Sequence, residues 1–371
     1  VSIEIVQQRD SYIVRNGASY FKLGIMEGSI LVDIREGLST DEIIRKHELS
    51  REQFEVLQQQ FLSVGVIGEP KKEKFNIFFI KIPLWNPDRL FARLTAPFIR
   101  FRLLTQITFW VMNLFILIGL YHFFAHYDSI ERIALQGFKG GRLALAYVCM
   151  ISCVILHEMG HAFMCRYFGG KVSKIGLMLL FFSPAMYCDV SSAWLFEKKR
   201  GKIAVALGGI YVQLVIIAVL IQFFLTRESQ LLSWLIFTNV YMIVTNLIPF
   251  VKLDGYWVLS HGTGISNLYS KSLERVRRLL DRSAGPVMGI TTRQDQFILV
   301  YGLLTVVAVA TFMMMGLYSL YYVTTHESIP MWIRIMTIIL EVLIYVYIIA
   351  RVLVFAVSRW MKKREEVGAD A

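Results

Sequence analysis

Residues 145–170 read LAYVCMISCVILHEMGHAFMCRYFGG. The run is apolar and long enough to cross about 30 Å of hydrocarbon as a helix. Its second half carries His157-Glu158-Met159-Gly160-His161. Positions i and i+4 share one helix face, so both imidazoles can grip one metal ion. Glu158, next to the first of them, can act as general base toward water activated by that ion. Ionisable groups at membrane depth are costly unless paired or functional. That cost makes the pentapeptide far more telling here than in a soluble helix, where it occurs by chance. The bland alternative is a buried His/Glu packing network.

The rest of the chain supports a membrane setting. Of 371 residues, 56% are hydrophobic and only 18% charged, and mean hydropathy is +0.53. Soluble domains carry about 25% charge. Four cysteines in this length exclude a disulfide scaffold. Six apolar runs are long enough to span: 105–125, 143–167, 201–225, 231–250, 297–323 and 331–357. Residues 1–20 hold Glu4, Arg9, Asp10 and Arg15 and no apolar core, so a signal peptide is not expected there. The alternate loops at 166–202 and 252–293 hold seven Lys/Arg each, and 359–364 hold four. This bias predicts a multi-pass cell-membrane protein with both termini cytoplasmic. It also explains the net charge of +11 without a nucleic-acid partner. The expected class is mainly α and polytopic, with about six transmembrane helices, a re-entrant β/loop segment and a small α+β N-terminal domain.

A tetrahedral catalytic metal needs a third protein ligand and an open position. The best candidate is Asp254, in Asn246-Leu-Ile-Pro249-Phe-Val-Lys-Leu253-Asp254-Gly255, about ninety residues after the histidines. Pro249 breaks the helix and lets Asp254 reach sideways, while Gly255 keeps the backbone uncrowded. His261 is the runner-up. With both motifs placed, H-E-x-x-H in a membrane helix followed by N-x-x-P-x-x-x-L-D-G resembles the site-2 protease family of intramembrane zinc metallopeptidases. The resemblance covers roughly 143–260. It implies Zn²⁺ as cofactor, His157, His161 and Asp254 as metal ligands, and Glu158 as catalytic base. It also implies a place for Asn246 near the scissile carbonyl, where it could donate to an oxyanion or hold the substrate strand. Capping of the broken helix is the other reading of Asn246.

Between the motifs, residues 171–196 (KVSKIGLMLLFFSPAMYCDVSSAWLF) are broken at Ser183-Pro184 and Cys188-Asp189. In the family such a segment forms strands and a re-entrant loop, whose edge would stretch a substrate helix into an extended form. Asp189 is read either as facing a water channel or as loop surface. At 206–213 relatives place a Gly-rich, polar-ended motif packed near the active site, with proline after its first glycine and then asparagine; here Gly209 and Gln213 stand instead, and Gly208-Gly209 is read chiefly as close helix packing. Cys149 and Cys153 are read as packing residues.

The first hundred residues look soluble. Short apolar stretches over 10–34, broken by Asn16-Gly17 and Glu27-Gly28, predict strands and tight turns. Ser39-Thr40-Asp41-Glu42 and Ser50 predict two helix starts. The result is a winged-helix-like domain over 1–68. Through Tyr12–Leu31, Glu36–Ile44 (EGLSTDEII) and Phe61–Ile67 (FLSVGVI) it resembles the PqqD-like peptide-recognition domains of ribosomal peptide modification systems. The resemblance implies that a leader peptide docks as an added strand. A DNA-binding or merely structural winged helix is the alternative. Residues 69–104 form a basic connector. Phe91, Leu94, Phe98 and Phe101 interleave there with arginines, which predicts an amphipathic helix on the inner membrane surface. Arg275, Arg277, Arg278 and Arg282 predict a surface helix touching acidic lipid. A membrane metallopeptidase domain is expected over 105–358, with its zinc core at 143–260 and a cytoplasmic tail at 359–371.

The leading functional expectation is an intramembrane zinc endopeptidase that cleaves a membrane-associated peptide, with a ribosomally made precursor captured by residues 1–68. The alternatives are a site-2-type signalling protease cutting a transmembrane regulator such as an anti-sigma factor, and a non-cleaving accessory protein. Expected partners are the peptide or membrane-protein substrate and membrane lipids.

Overall fold

A computed structural model of the chain describes residues 3–8, 11–17, 19–68, 79–136, 142–180, 183–280 and 292–325, with part of 331–346. The N-terminal region begins with an antiparallel sheet, β1 (Glu4–Gln8), β2 (Ser11–Asn16) and β3 (Ser19–Leu23), in that order. Three helices follow: α1 (Ile25–Glu36), α2 (Thr40–Lys46) and α3 (Arg51–Val64). Ser39 and Ser50 each close a capping box, with Glu42 and Gln53 respectively, so two amides at each helix start find side-chain acceptors. Val14, Ile30, Leu31, Ile43, Phe54, Phe61 and Val66 form the core.

One expectation fails here. Glu27-Gly28 is not a turn between strands but lies within α1. Ile30, Leu31 and Ile34 recur at helical spacing and reach the core, and Gly28 admits the Tyr12 ring where a Cβ would collide. The third strand comes instead from Glu4–Gln8, which pairs with β2 from Glu4↔Arg15 to Gln8↔Ser11. Asn16 does more than turn the chain. Its buried amide donates to the carbonyls of Gly65 (3.1 Å) and Gly68 (3.2 Å), tying β2 to the end of α3.

The chain continues through β4 (Phe79–Trp85), α4 (Asp88–Arg100), α5 (Arg102–Ala125), α6 (Tyr127–Ala134), α7 (Arg142–Tyr167), β5 (Ile175–Leu180) and β6 (Ser183–Cys188). A short 3-10 turn at Ser191–Leu195 leads to α8 (Lys199–Thr226), α9 (Gln230–Leu247), α10 (Asp254–Thr263), α11 (Leu268–Leu280) and α12 (Arg293–Thr325). Helices α5, α7, α8, α9 and α12 are long and apolar enough to cross a membrane. The protein is therefore mostly helical, with the makeup of a polytopic membrane protein. The sixth expected span, 331–357, lies largely outside the described residues, as does the tail at 359–371.

Strands β4, β5 and β6 form a second sheet in that order. β4 falls in the stretch read from sequence as a connector, whose first part (69–78) is outside the described residues. Within that stretch α4 is amphipathic, but its phenylalanines do not all face lipid. Phe91 is buried with Ala162 and Cys165 of α7, and Phe98 meets Phe163 edge-on at 5.5 Å. Leu90, Leu94 and Ile99 stay exposed. Asp88 pins the start of α4 by accepting from the Val172 amide at 3.0 Å, with Arg166 at 3.7 Å. Farther on, α11 and α12 close on each other where Gly302 meets Ser272 and Val276, and Tyr345 donates to the Met313 carbonyl at 2.7 Å. Arg278 pairs with Glu274 along α11, and Arg282 lies outside the described residues.

Among the described residues of the N-terminal core, Asp33 is a buried charge held by two neighbours. Lys46 Nζ donates to it at 2.7 Å and His47 Nε2 lies at 2.6 Å. The Lys46 hydrogen bond holds its carboxyl below the usual range. A depressed carboxylate stabilises the fold fully above its unfolded pKa of about 3.9, and that contribution is lost as pH falls through the lower folded value. Asp33→Ala is expected to reduce the stability of this region by about 2 kcal/mol at neutral pH. Protection of α1 and α3 amides from hydrogen exchange in the full chain checks this. The difference between the two proteins should shrink below about pH 4.

Candidate metal centre

The long apolar helices α7 and α8 approach through glycines. A Cβ on Gly160 would collide with the Gly208 carbonyl and with Val212, and one on Gly208 would lie 2.6 Å from the Gly160 carbonyl oxygen. Small residues permit this backbone contact, as in other membrane helix pairs. The approach matters because His157 and His161 project from α7 toward the same neighbour. Gly209 is the notch they occupy. A Cβ there would stand 2.5 Å from Nε2 of both histidines and 2.5 Å from Cε1 of His157. Sequence reading took Gly208-Gly209 chiefly as close helix packing, in a motif that relatives place near the active site. Gly208 does pack, whereas Gly209 makes room for the imidazoles.

Asp254 arrives from a different element. α9 ends at Leu247, the chain turns through Pro249 and Phe250, and α10 opens on Asp254. An acidic residue in the first turn complements the helix dipole. Gly255 is required for this path, because a Cβ would run into the Leu247 carbonyl.

The three side chains converge. His157 Nε2 and His161 Nε2 lie 3.1 Å apart. Asp254 places Oδ2 3.2 Å from the first and Oδ1 3.4 Å from the second. His157 is 5% exposed and His161 7%. Among the described residues this is the group of three His, Cys, Asp or Glu side chains arranged to hold a metal.

Two observations test whether a zinc ion suits the cluster. The first is spacing. Zn–N of about 2.0–2.1 Å and Zn–O of about 2.0–2.2 Å at tetrahedral angles put donor atoms about 3.3–3.5 Å apart. The separations are of that size, 3.1 Å between the two Nε2 atoms, 3.2 Å from His157 Nε2 to Asp254 Oδ2 and 3.4 Å from His161 Nε2 to Oδ1, with a different carboxylate oxygen facing each ring. The second is polarity. His161 Nδ1 lies 2.7 Å from the Val205 carbonyl. A carbonyl only accepts, so Nδ1 carries the proton and Nε2 of the neutral ring is a lone pair. That lone pair faces a carboxylate and a second imidazole. In that neutral form acceptors converge, a repulsion that a shared proton or a metal cation among them would relieve, and the donor set suits zinc.

Glu158 follows His157 on α7. Its carboxylate lies by the backbone of Cys188, at the end of β6. Asn246 is half-buried in the last turn of α9, just before the break that leads to Asp254. Asp189 is part of a turn, since its Oδ1 accepts from the Ser191 amide at 3.1 Å and its own amide donates to Lys174 at 2.8 Å. His261 does not join the cluster. It stacks on Trp257 and meets Trp194 edge-on at 5.2 Å. Sequence reasoning missed two participants, the Val205 carbonyl and the backbone of Cys188, neither of which leaves a signal in the sequence.

No family model matches the chain, and no solved structure does. Over 141 residues it is 27% identical to the Bacillus subtilis (strain 168) protein named "Putative peptide zinc metalloprotease protein YydH". The alignment takes in 37% of this chain and 55% of the relative, so the chain spans about half the length of the curated relative it matches.

Gly209→Ala should crowd both imidazoles while leaving the Gly160–Gly208 contact in place. Zinc affinity of the purified protein, measured by chelator competition, is expected to fall at least about tenfold. Unchanged affinity would show that the notch does not shape the centre.

Proposed function

We propose that the chain is a membrane-embedded zinc endopeptidase of the site-2 protease type. The observation that carries this reading is the convergence of His157, His161 and Asp254 in a helical bundle, with Glu158 next in sequence to the first of them. The name carried by the Bacillus relative supports the same class of chemistry.

When bound, zinc would polarise the scissile carbonyl and lower the pKa of water to about 7. His157, His161 and Asp254 would hold the ion and leave one position open to substrate. Glu158 would take the proton from the attacking water and return it to the leaving amine. Val205 would fix the tautomer of His161 through its carbonyl. Asn246, at the end of α9, would donate to the substrate backbone. β6 is an outer strand of its sheet and ends at Cys188, beside Glu158. An extended peptide laid along that end would bring its backbone toward the base. Extension matters because a helix ties up its carbonyls in hydrogen bonds.

The substrate in this proposal is a membrane-associated peptide, a ribosomally synthesised precursor processed during maturation or export. Residues 1–68 would capture its leader as a strand added to the β1–β3 sheet. One contact favours delivery from there: Gln8 Nε2 donates to the Phe196 carbonyl at 3.1 Å, just after the turn that follows β6. Both termini would face the cytoplasm.

Glu158→Gln is expected to retain zinc and to lower turnover of a precursor peptide by about 10²–10⁴-fold. Metal content and cleavage rate, measured on one preparation in membranes, check both halves. Turnover equal to wild type would remove the base assignment. Deleting residues 1–68 should raise the apparent KM for the full precursor at least tenfold, while a leaderless peptide is cut at the parent rate. An unchanged KM on the full precursor would end the docking idea.

A further inference from the structure

The two imidazoles of the cluster are not held alike. His161 has a partner behind it, the Val205 carbonyl at 2.7 Å. His157 has none among the described residues, and its Nδ1 is buried without a hydrogen bond. A metal-ligating histidine almost always donates its second ring N–H to a carboxylate, a carbonyl or a water. One such acceptor is therefore owed to His157.

A matching group stands on α8. Gln213 is 0% exposed, and both its Oε1 and its Nε2 are buried without a hydrogen bond. Burying a whole amide in an apolar bundle is costly unless it finds partners. Its position follows from helix geometry. Gly209 touches both histidine rings, and residue 213 lies on the same face of α8 one turn, about 6 Å, farther on. α7 and α8 are consecutive spans running in opposite directions. With Gly160 set against Gly208 and Val212, one turn up α8 from Gly209 meets α7 near His157 and Cys153. The other buried amide nearby is Asn239 on α9, whose Nδ2 donates to the Leu235 carbonyl at 2.8 Å while its Oδ1 is buried without a hydrogen bond, so Asn239 is the rival acceptor that the test must separate from Gln213.

We infer that Gln213 is a positioning residue for His157, its side-chain oxygen accepting the Nδ1–H of that imidazole directly or through one water. The inference rests on the reading of His157, His161 and Asp254 as a metal site. Gln213 would then set the tautomer of His157 and aim Nε2 at the ion, as Val205 does for His161. The glutamine touches neither metal nor substrate, so its effect is on ligand orientation.

The test uses the full chain in detergent or nanodiscs, with zinc affinity from chelator competition, the visible spectrum of the cobalt(II) form, and thermal melting of the metal-free protein. Gln213→Met keeps the length of the side chain and removes its oxygen. It should weaken metal binding about 10–100-fold and shift the cobalt bands, while the metal-free melting temperature stays level or rises, because an unpaired buried amide has gone. Gln213→Glu retains an acceptor and should bind within about threefold of the parent. Asn239→Leu and Ser233→Ala, at other buried polar positions of α9, should leave affinity unchanged. Parent-like affinity in Gln213→Met, equal losses in the Met and Glu variants, or a loss in Asn239→Leu alone would each overturn the inference. His161→Ala separates this from the underlying reading. If it binds metal like the parent, the metal site itself is wrong. If it abolishes binding while Gln213→Met does not, only the positioning role falls.

Discussion

Two imidazoles and a carboxylate can rest inside an apolar helix bundle only if something neutralises them together. The other features of the centre serve that constraint. α7 and α8 need backbone contact at Gly160 and Gly208 to bring the rings to a wall. That wall must lack a side chain, which Gly209 provides. α9 must end early so that Asp254 can enter from the start of α10, and Gly255 must clear the Leu247 carbonyl. Each glycine weakens its own helix by about 1 kcal/mol relative to alanine. That cost is tolerated because the alternative is a displaced ligand.

The proposed function gives the strands beside a membrane helix a use. A peptidase needs its substrate backbone extended and unpaired, and a sheet edge is the simplest device for holding it so. β6 delivers the backbone of Cys188 to Glu158, and Asp189 shapes the turn after it. The segment thus joins a surface that can take an extended chain to the proposed base. Gln8 links the N-terminal region to the same stretch through Phe196. In the proposed reading, that link would bring a peptide held on the small sheet toward the metal centre.

Parts of this were legible from residues alone. The i, i+4 spacing places His157 and His161 on one face of any helix, and apolar length marks α5, α7, α8, α9 and α12 as spans. Pro249 announces the break before Asp254. Other parts were not. Glu27-Gly28 looks like a turn, yet the stripe Ile30, Leu31 and Ile34 outweighs it, because burial against β2 and α3 is worth more than the glycine costs. The connector hides β4, whose pairing depends on strands about a hundred residues away. The phenylalanines of α4 read as lipid-facing, but a helix pattern does not say whether its apolar face meets lipid or another helix.

What the order of amino acids determined by itself is local. It set the helical register of the histidines, the break at proline, the capping boxes at Ser39 and Ser50, and the inventory of metal-binding side chains. Tertiary structure decided what those groups meet. Val205 lends a carbonyl to His161, Gly209 yields space to both rings, Asp254 closes the cluster and His261 turns instead to tryptophans. The reason is physical. Helix geometry repeats within a few residues and so can be read along the chain. Contact between residues 44, 48 or 93 positions apart depends on how apolar surfaces pack, which no short spacing encodes.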